Sequence, residues 1–356
     1  MALDETIFLT GFPGFIAGRL IKRLAIAGAR FLLLVQPAFM KRAREEIKRI
    51  AAETDSSPDR FHLIEGDITQ EDLGMSPTEL ERARVETTIL FHLAAIYDLS
   101  VKLEPAMRVN VEGTRNVNQF ALTLSNLRRY HYVSTCYVAG LRTGLILETE
   151  LCHTAGFRNF YEETKYLAEL EVDAMKSKLP VTIHRPSVVC GDSQTGETAK
   201  YDGIYYLIQY LRKQPSLLSL VNIGNHNVTL NLVPVDFVVE AITTLAVDDR
   251  AMGATLQLAD PNPLTTHQLF EEVAKALAGR GSRITLPRKL IRPTLMLPFT
   301  PTITGLPHAG VPYFFLNQTY DTSHASRLLS AHEIHCPPFT DYVGALVEFV
   351  ERNPKL

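Results

Sequence analysis

Short apolar runs alternate along the chain with longer segments in which apolar residues recur every three or four positions. Runs of the first kind predict buried strands, and segments of the second kind predict amphipathic helices. The predicted strands lie at 7–9, 30–35, 61–68, 88–95, 130–138 and 181–186, and the predicted helices at 15–24, 41–53, 110–127, 161–175, 204–211 and 267–278. Strand and helix in regular alternation predict an α/β fold around a parallel sheet.

The first predicted strand meets a glycine-rich turn, and a helix follows at once. The turn leaves the backbone almost bare, so a pyrophosphate can approach the N–H groups at the helix start, where the helix dipole favours negative charge. This strand, loop and helix predict a Rossmann doubly wound parallel sheet that binds a dinucleotide. An ordinary tight turn is the alternative. The predicted cofactor-binding residues of the loop are Gly11, Phe12, Pro13, Gly14, Phe15 and Ile16.

The end of the second strand bears on the choice of cofactor. An acidic residue there binds the ribose 2′-hydroxyl and repels a 2′-phosphate. This chain has Gln36, followed by Lys41, Arg42 and Arg44, and no carboxylate occurs from position 31 to 44. NADP(H) is therefore favoured, and NAD(H) stays open because these bases also fit the solvated face of the next helix.

Two further strand ends carry candidate cofactor contacts. Asp67, followed by Ile68, is placed to accept a hydrogen bond from the adenine amino group, or to cap the next segment. Ala94 and Ala95 follow the fourth strand, and their small side chains permit close approach of a cofactor. His92, within that strand, is expected to pack rather than to catalyse.

Tyr161 and Lys165 form the candidate chemical centre. They are one helical turn apart and share a helix face. A phenol is a weak acid at neutral pH, and a nearby ammonium is expected to lower its pKa. The pair then suits proton transfer in carbonyl–alcohol chemistry. Thr135 ends the fifth strand, so its hydroxyl is expected to hold the substrate oxygen beside Tyr161.

In these motifs the chain resembles the extended short-chain dehydrogenase/reductase superfamily over nearly its whole length. The resemblance implies that Thr135, Tyr161 and Lys165 are the catalytic set and that Lys165 also holds the nicotinamide ribose. The matching residues also include Gly66, Asp67, Leu93, Ala94, Ala95 and Asn110. The further cofactor-binding residues that it implies are Asn110, Pro186, Ser187 and Val188.

Later residues resemble one branch of this superfamily, the thioester reductases and fatty acyl-CoA reductases of the male-sterility type. The matches are Arg185-Pro186-Ser187, Gly191-Asp192-Ser193, Thr195-Gly196 and the segment 231–236. The branch implies reduction of an acyl thioester to an aldehyde. Gln36 stands where that branch commonly has arginine, and Pro13 is atypical of its glycine loop.

Length and composition fit two domains. A chain of 356 residues with 46% hydrophobic content is long for one domain. We predict a Rossmann domain over 1–190 and about 228–260, and a smaller C-terminal α/β substrate-binding region over about 191–227 and 261–356. The segments 200–220 and 284–320 are apolar, which suits an acyl substrate or simply the core of the smaller domain.

Charge and motif content exclude other classes. A net charge of −3 predicts no nucleic-acid partner. The chain lacks an apolar stretch long enough to span a membrane, and its N-terminus lacks a signal-peptide pattern, so a cytoplasmic protein is expected. The four cysteines form no CxxC pair, and His332, His335 and Cys336 stand alone, so no metal site is expected. The superfamily resemblance implies a possible homodimer.

Three functions remain. The first is thioester reduction, the second is oxidoreduction of a ketone or secondary alcohol, or epimerisation or dehydration of a nucleotide sugar, and the third is nucleotide sensing without turnover. The third is disfavoured because sensing proteins of this superfamily generally lack the tyrosine or the lysine, and both are present.

Overall fold

The computed structural model describes residues 4–213, 221–222, 224–282, 284–285, 308–315 and 317–356. The strands are β1 Thr6–Thr10, β2 Arg30–Val35, β3 Phe61–Glu65, β4 Ile89–His92, β5 Arg129–Val133, β6 Gly144–Ile146, β7 Val181–Pro186, β8 Val188–Cys190, β9 Val221–Asn222, β10 Leu232–Pro234, β11 Thr255–Leu258, β12 Ile284–Thr285 and β13 Gln318–Tyr320.

Side chains cap some of the helices at their N-terminal ends. The Asn159 side chain accepts a hydrogen bond from the Glu162 N–H at the start of the helix Phe160–Asp173, and Thr265 and Gln268 form a capping box at the start of the helix Thr266–Ala278. The helices are α1 Phe15–Ile26, α2 Met40–Thr54, α3 Pro77–Glu86, α4 Leu103–Ala106, α5 Gly113–Ala121, α6 Phe160–Asp173, α7 Ile204–Lys213, α8 Val235–Leu245, α9 Thr266–Ala278, α10 Ser323–Ser330 and α11 Phe339–Arg352. A π-helical segment, Met107–Glu112, joins α4 to α5.

The central sheet has seven strands in the order β11-β7-β5-β4-β1-β2-β3. All its pairings are parallel, so the carboxyl ends of its strands meet at one edge. The chain first adds strands on one side of β1 and then on the other. The crevice at this reversal, between β1 and β4, is where doubly wound sheets bind ligands. The predicted fold class is confirmed.

Helices cover both faces of the sheet, which explains why β1, β2 and β4 carry consecutive apolar residues. Ile7 and Leu9 of β1 join one cluster, which includes residues of α1, α2, α8 and α10. Phe8, between them, joins the opposite cluster, with residues of α3, α5 and α6. Successive side chains of a strand point to opposite faces, so a strand covered on both sides is apolar without alternation.

A third apolar cluster combines residues of α7, α9 and α11 with residues of β8 and β10. β8 pairs with β10, β6 with β13, and β9 with β12, each pair being parallel. This cluster takes most of its residues from the predicted substrate-binding region, although Leu328 and Leu329 of α10 pack in the first cluster. Among the described residues, no helix is both long enough and apolar enough to cross a membrane.

Several predicted element ends differ from the structure, among them the fourth predicted strand, which ends at His92 rather than at position 95. The helix predicted to reach position 127 ends at Ala121, because Ser125 and Asn126 side chains bind the carbonyl groups of Arg84 and Val85 at the end of α3. The third predicted strand ends at Glu65 and the fifth at Val133. Beyond the fifth, the Thr135 side chain caps a 3-10 turn instead of continuing the strand.

Candidate active site

The predicted site residues follow the carboxyl ends of the central strands. The glycine loop follows β1, Gln36 follows β2, and Asp67 lies just beyond β3. Ala94 and Ala95 lie just beyond β4, Thr135 beyond β5, and Ser187 directly after β7. Because these strands are parallel neighbours, residues far apart in the sequence come to one edge of the sheet.

The glycine loop leaves no room for a side chain at the positions of its two glycines. Gly11 has φ of +96°, and a Cβ atom on it would lie 2.8 Å from the Ala94 nitrogen. A Cβ on Gly14 would lie 2.6 Å from the Gly11 carbonyl oxygen. Gly14 precedes α1, and the first turn of that helix contains no acidic residue. The loop therefore fits a pyrophosphate at the helix start.

The remaining loop residues have different surroundings. Phe12 is buried in the first core cluster, whereas Pro13, Phe15 and Ile16 are half-buried. The Arg19 guanidinium lies 4.9 Å from the centre of the Phe15 ring and binds Asp192 and Glu197. These ion pairs connect the first turns of α1 to the loop that follows β8.

At the adenosine end, Gln36 contacts Asp67. Gln36 Nε2 donates to Asp67 Oδ2 at 3.0 Å, and the other carboxylate oxygen accepts from the Thr69 N–H. Lys41, Arg42 and Arg44 are exposed near the start of α2, and none of them forms an ion pair with any residue that the structure describes. Ile68 is buried beneath Gly113.

Asn110, implied by resemblance to bind cofactor, has protein partners for its side chain. Its Oδ1 accepts from the Ile96 N–H at 2.8 Å, and its Nδ2 donates to Thr164 Oγ1 at 3.0 Å. Asn110 thus connects the π-helical segment, the loop after β4 and helix α6. Ala94 donates its N–H to Thr10 Oγ1, and Ala95 is exposed.

The β7–β8 connection has an orphaned polar atom. Pro186 is the last residue of β7, and Val188 the first of β8. Between them, the Ser187 hydroxyl is buried and has no hydrogen-bond partner within the described ranges. A buried hydroxyl without a partner is costly, so this atom fits a hydrogen bond to a bound ligand.

Thr135 and Tyr161 are adjacent. The Thr135 side chain lies close enough to the Tyr161 phenol to affect its pKa, and the Tyr161 ring makes an edge contact with Tyr97 at 5.2 Å between centres. Tyr161 is 6% exposed. Burial raises the pKa of Tyr161, and the nearby Thr135 side chain acts in the opposite direction.

Lys165 does not act on Tyr161 as expected. Its Nζ donates to Tyr132 Oη at 2.7 Å and to the Val133 carbonyl oxygen at 2.9 Å. Burial lowers the pKa of Lys165 to about 7, and nearby Glu169 opposes that change. The expected lowering of the Tyr161 pKa is therefore wrong, because desolvation of the phenol dominates.

The sequence analysis did not predict two buried ion pairs beside the site. Arg158 binds Glu162, one turn along the chain, and the Tyr313 hydroxyl donates to the same carboxylate. Arg185 binds Glu169, whose other oxygen accepts from Ser134. The i, i+4 spacing of Arg158 and Glu162 could have indicated an ion pair. No sequence pattern indicated that both side chains are buried or that they contact residues far along the chain.

A pocket lies beside Tyr137, two residues after Thr135. Its empty volume is about 320 Å³, part of which is open to solvent. Its lining mixes aromatic, aliphatic and hydrogen-bonding side chains: Tyr137, Arg158, Val188, Thr229, Leu230, Asn231, Tyr313, Gln318 and Tyr320. Of the apolar segments predicted to line a substrate site, positions 214–220 and 286–307 lie outside the described residues.

Two curated relatives that are longer than this chain are named as reductases. Glycine betaine reductase ATRR of Emericella nidulans is 26% identical over 290 residues, which cover 76% of this chain and 22% of that protein. Fatty acyl-CoA reductase wat of Drosophila melanogaster is 27% identical over 281 residues, which cover 69% of this chain and 54% of that protein. The chain thus spans about half or less of these relatives.

Solved structures share the fold. The terminal R domain from the myxalamid PKS-NRPS biosynthetic pathway superposes with a TM-score of 0.84 at 24% identity, covering 100% of this chain and 92% of that one. UDP-glucuronic acid 4-epimerase from Bacillus cereus, in complex with NAD, gives 0.66 at 18% identity, covering 98% and 97%.

A family profile decides the assignment. The profile described as Male sterility protein matches residues 9–242, more than half of the chain. The chain therefore belongs to the male sterility protein family, the NAD(P)-binding branch of the extended short-chain dehydrogenase/reductase superfamily that its sequence resembles.

Proposed function

We propose that this chain reduces an acyl thioester to an aldehyde with NADPH. The observation that carries the proposal is the proximity of the Thr135 and Tyr161 side chains at the carboxyl edge of the sheet. Two hydroxyl groups side by side suit a carbonyl oxygen that gains negative charge. The similarity to proteins named fatty acyl-CoA reductase and glycine betaine reductase supports a reductive reaction at an acyl carbon.

The balanced reaction consumes one thioester, one NADPH and one proton, and gives an aldehyde, a thiol and NADP⁺. The bound nicotinamide supplies the hydride. Thr135 and Tyr161 bind the carbonyl oxygen, and Tyr161 donates its proton as that oxygen becomes a hydroxyl. Burial raises the pKa of Tyr161, so the phenol carries a proton at neutral pH. Loss of the thiol then leaves the aldehyde.

Binding of the cofactor is assigned to the residues at the strand ends. The glycine loop holds the pyrophosphate, Ser187 offers its free hydroxyl, and Lys165 holds the nicotinamide ribose. Preference for NADP(H) over NAD(H) is supported by Gln36 at the end of β2 and by the exposed Lys41 and Arg42 nearby. Cations at this position attract a 2′-phosphate.

The acyl group is assigned to the predicted substrate-binding region, 191–227 and 261–356. The pocket beside Tyr137 adjoins this region through Tyr313, Gln318 and Tyr320. Its aromatic and aliphatic side chains suit a short or branched acyl group, and its polar side chains suit the carbonyl or amide groups of a carrier arm. A panel of acyl-CoAs of increasing length determines which size of acyl group the protein accepts.

A second candidate is reduction of a ketone or conversion of a nucleotide sugar at the same hydroxyl pair. The polar pocket residues Arg158, Asn231 and Gln318 favour it, because sugars need hydrogen-bonding partners. Both candidates use the same catalytic groups, so only the substrate separates them.

The test is cofactor oxidation with a panel of acyl-CoAs of increasing length, matched aldehydes, ketones and nucleotide sugars, each with NADPH and NADH. Thioester reduction predicts NADPH consumption with at least one acyl-CoA and release of free thiol in equal amount. Consumption with ketones alone, or turnover of a nucleotide sugar without net oxidation of cofactor, supports the second candidate instead.

A further inference from the structure

Lys165 has an unusual environment for an ammonium group. The residue is 3% exposed, and its Nζ lies 4.4 Å from the centre of the Tyr132 ring and 2.7 Å from its hydroxyl oxygen. The second hydrogen bond goes to the Val133 carbonyl oxygen. A buried ammonium is unstable unless other groups replace its water shell. On strand β5, the groups that do so are the Tyr132 hydroxyl and one backbone carbonyl.

The Tyr132 ring lies 5.5 Å from the ring of His92, which belongs to a chain of buried hydrogen bonds. In that chain, Thr114 Oγ1 donates its proton to the Asn110 carbonyl oxygen at 2.6 Å. Thr114 Oγ1 also lies 3.0 Å from His92 Nε2, and His92 Nδ1 lies 2.8 Å from Thr10 Oγ1. All members of the chain are buried.

The hydrogen bonds of this buried chain have one consistent direction from donor to acceptor. Because the single proton of Thr114 goes to Asn110, its oxygen must accept from His92. The Lys165 ammonium can only donate, so a lone pair of the Tyr132 oxygen faces it and the Tyr132 proton points away. His92 then carries its proton on Nε2 and accepts from Thr10 at Nδ1, so each hydroxyl has a donor and an acceptor role.

The other groups around Lys165 also bear on its charge. Glu169, one turn further along α6, favours the charged amine but is itself paired with Arg185 and Ser134. Tyr161, one turn earlier, is a neutral phenol whose pKa is raised by burial. His92, on β4, is neutral because burial and Lys165 lower its pKa to about 3.

We propose that Tyr132 is a positioning residue of this site: its oriented hydroxyl fixes the Lys165 ammonium and keeps that amine charged inside the protein. The role of Lys165 in reduction rests on the proposed function, but the effect of Tyr132 on Lys165 does not. A charged, fixed amine is what binding of the nicotinamide ribose requires.

The same strand provides a matched control. Tyr130 lies two residues earlier on the same face, is fully buried, and donates its hydroxyl proton to Asn118 Oδ1 at 2.7 Å. Tyr130→Phe and Tyr132→Phe each remove one buried hydroxyl from one strand. Only the second removes a partner of Lys165, so any loss of stability common to both variants is separated from the effect on the amine.

The experiment measures Lys165 directly in the protein without substrate. Lysine labelled with ¹³C at Cε is incorporated, and the Lys165 resonance is assigned as the one that disappears in Lys165→Met. We expect Tyr132→Phe to lower the titration midpoint of Lys165 by about one pH unit, and Tyr130→Phe to leave it unchanged. The alkaline limb of the kcat profile is expected to move to lower pH by the same amount.

An unchanged Lys165 midpoint in Tyr132→Phe overturns the proposal. If that variant does not fold, Tyr132→Met removes the same hydroxyl with a flexible side chain that adapts to the core, and a lower midpoint is again expected. The titration uses no substrate, so it stands even if thioester reduction fails. Conversely, thioester reduction with an unchanged midpoint rejects the role of Tyr132 alone.

Discussion

Arg185 Nε donates a hydrogen bond to Glu169 Oε1 at 2.8 Å, and the two side chains are 2% and 0% exposed. Glu169 also accepts from Ser134, which precedes Thr135. This pair connects β7, the end of β5 and helix α6, the element that carries Tyr161 and Lys165. The arrangement of the proposed catalytic residues therefore depends on a buried ion pair that touches none of the reacting atoms.

Arg185→Met is expected to lower the free energy of unfolding by about 3–5 kcal/mol, because the Glu169 carboxylate then stays buried without its cation. Urea unfolding measures the change. Arg49→Met is the matched control, since Arg49 pairs with Glu46 and Glu53 on the surface and is 52% exposed. Its loss is expected to cost less than about 1 kcal/mol. Equal costs in the two variants contradict the assignment.

Gly14→Ala is expected to weaken NADPH binding at least tenfold. The added Cβ would lie 2.6 Å from the Gly11 carbonyl oxygen, so the loop must move away from the position that suits a pyrophosphate. Fluorescence titration with NADPH measures the loss. Gly344→Ala, in α11 where a Cβ meets no atom within 4 Å, is expected to leave binding unchanged and to stabilise the helix slightly. Unchanged NADPH affinity in Gly14→Ala contradicts the proposed loop role.

Gln36→Glu is expected to reverse the preference for NADPH. A carboxylate at the end of β2 accepts from the ribose 2′-hydroxyl of NADH and repels the 2′-phosphate of NADPH. The ratio of the two dissociation constants should change at least tenfold. Arg42→Ala should weaken NADPH alone, whereas Lys48→Ala, further along α2, should affect neither. If wild type binds both cofactors equally, the proposed preference is rejected.

The stability of the protein is expected to fall below about pH 6.5. His92 and His184 are fully buried, and burial lowers the pKa of each to about 3. Both are therefore neutral in the fold, whereas in the unfolded chain they bind protons below about pH 6.5. Their contribution is complete above that pH and is lost progressively towards pH 3. At pH 5 each of these two histidines lowers the free energy of unfolding by about 2 kcal/mol.

Urea unfolding at pH 7.5 and pH 5 tests this contribution. In His184→Leu the drop in unfolding free energy between the two pH values should be smaller than in wild type by about 2 kcal/mol. His335→Gln, which changes an exposed histidine, should leave the drop unchanged. A drop that is the same in His184→Leu and wild type shows that other groups set the acid sensitivity.

The sequence predicted the strands of the central sheet because apolar runs and glycine turns are local signals, although three of these strands end earlier than predicted. It placed Thr135 at the carboxyl edge through the rule that parallel strands share a carboxyl end. It could not give the Lys165 partner, because Tyr132 lies on a strand whose register and twist decide whether its hydroxyl meets the amine. The helix end at Ala121 was also missed, since Leu124 and Leu127 continue the apolar spacing beyond it.

The most direct measurement of the central claim compares wild type, Thr135→Val and Tyr161→Phe in reduction of one acyl-CoA by NADPH, with thiol and aldehyde both quantified. The account predicts one thiol and one aldehyde for each NADPH in wild type. It predicts a loss of at least 100-fold in kcat for Tyr161→Phe and a smaller loss for Thr135→Val. Full activity of Tyr161→Phe with an intact fold would contradict the account.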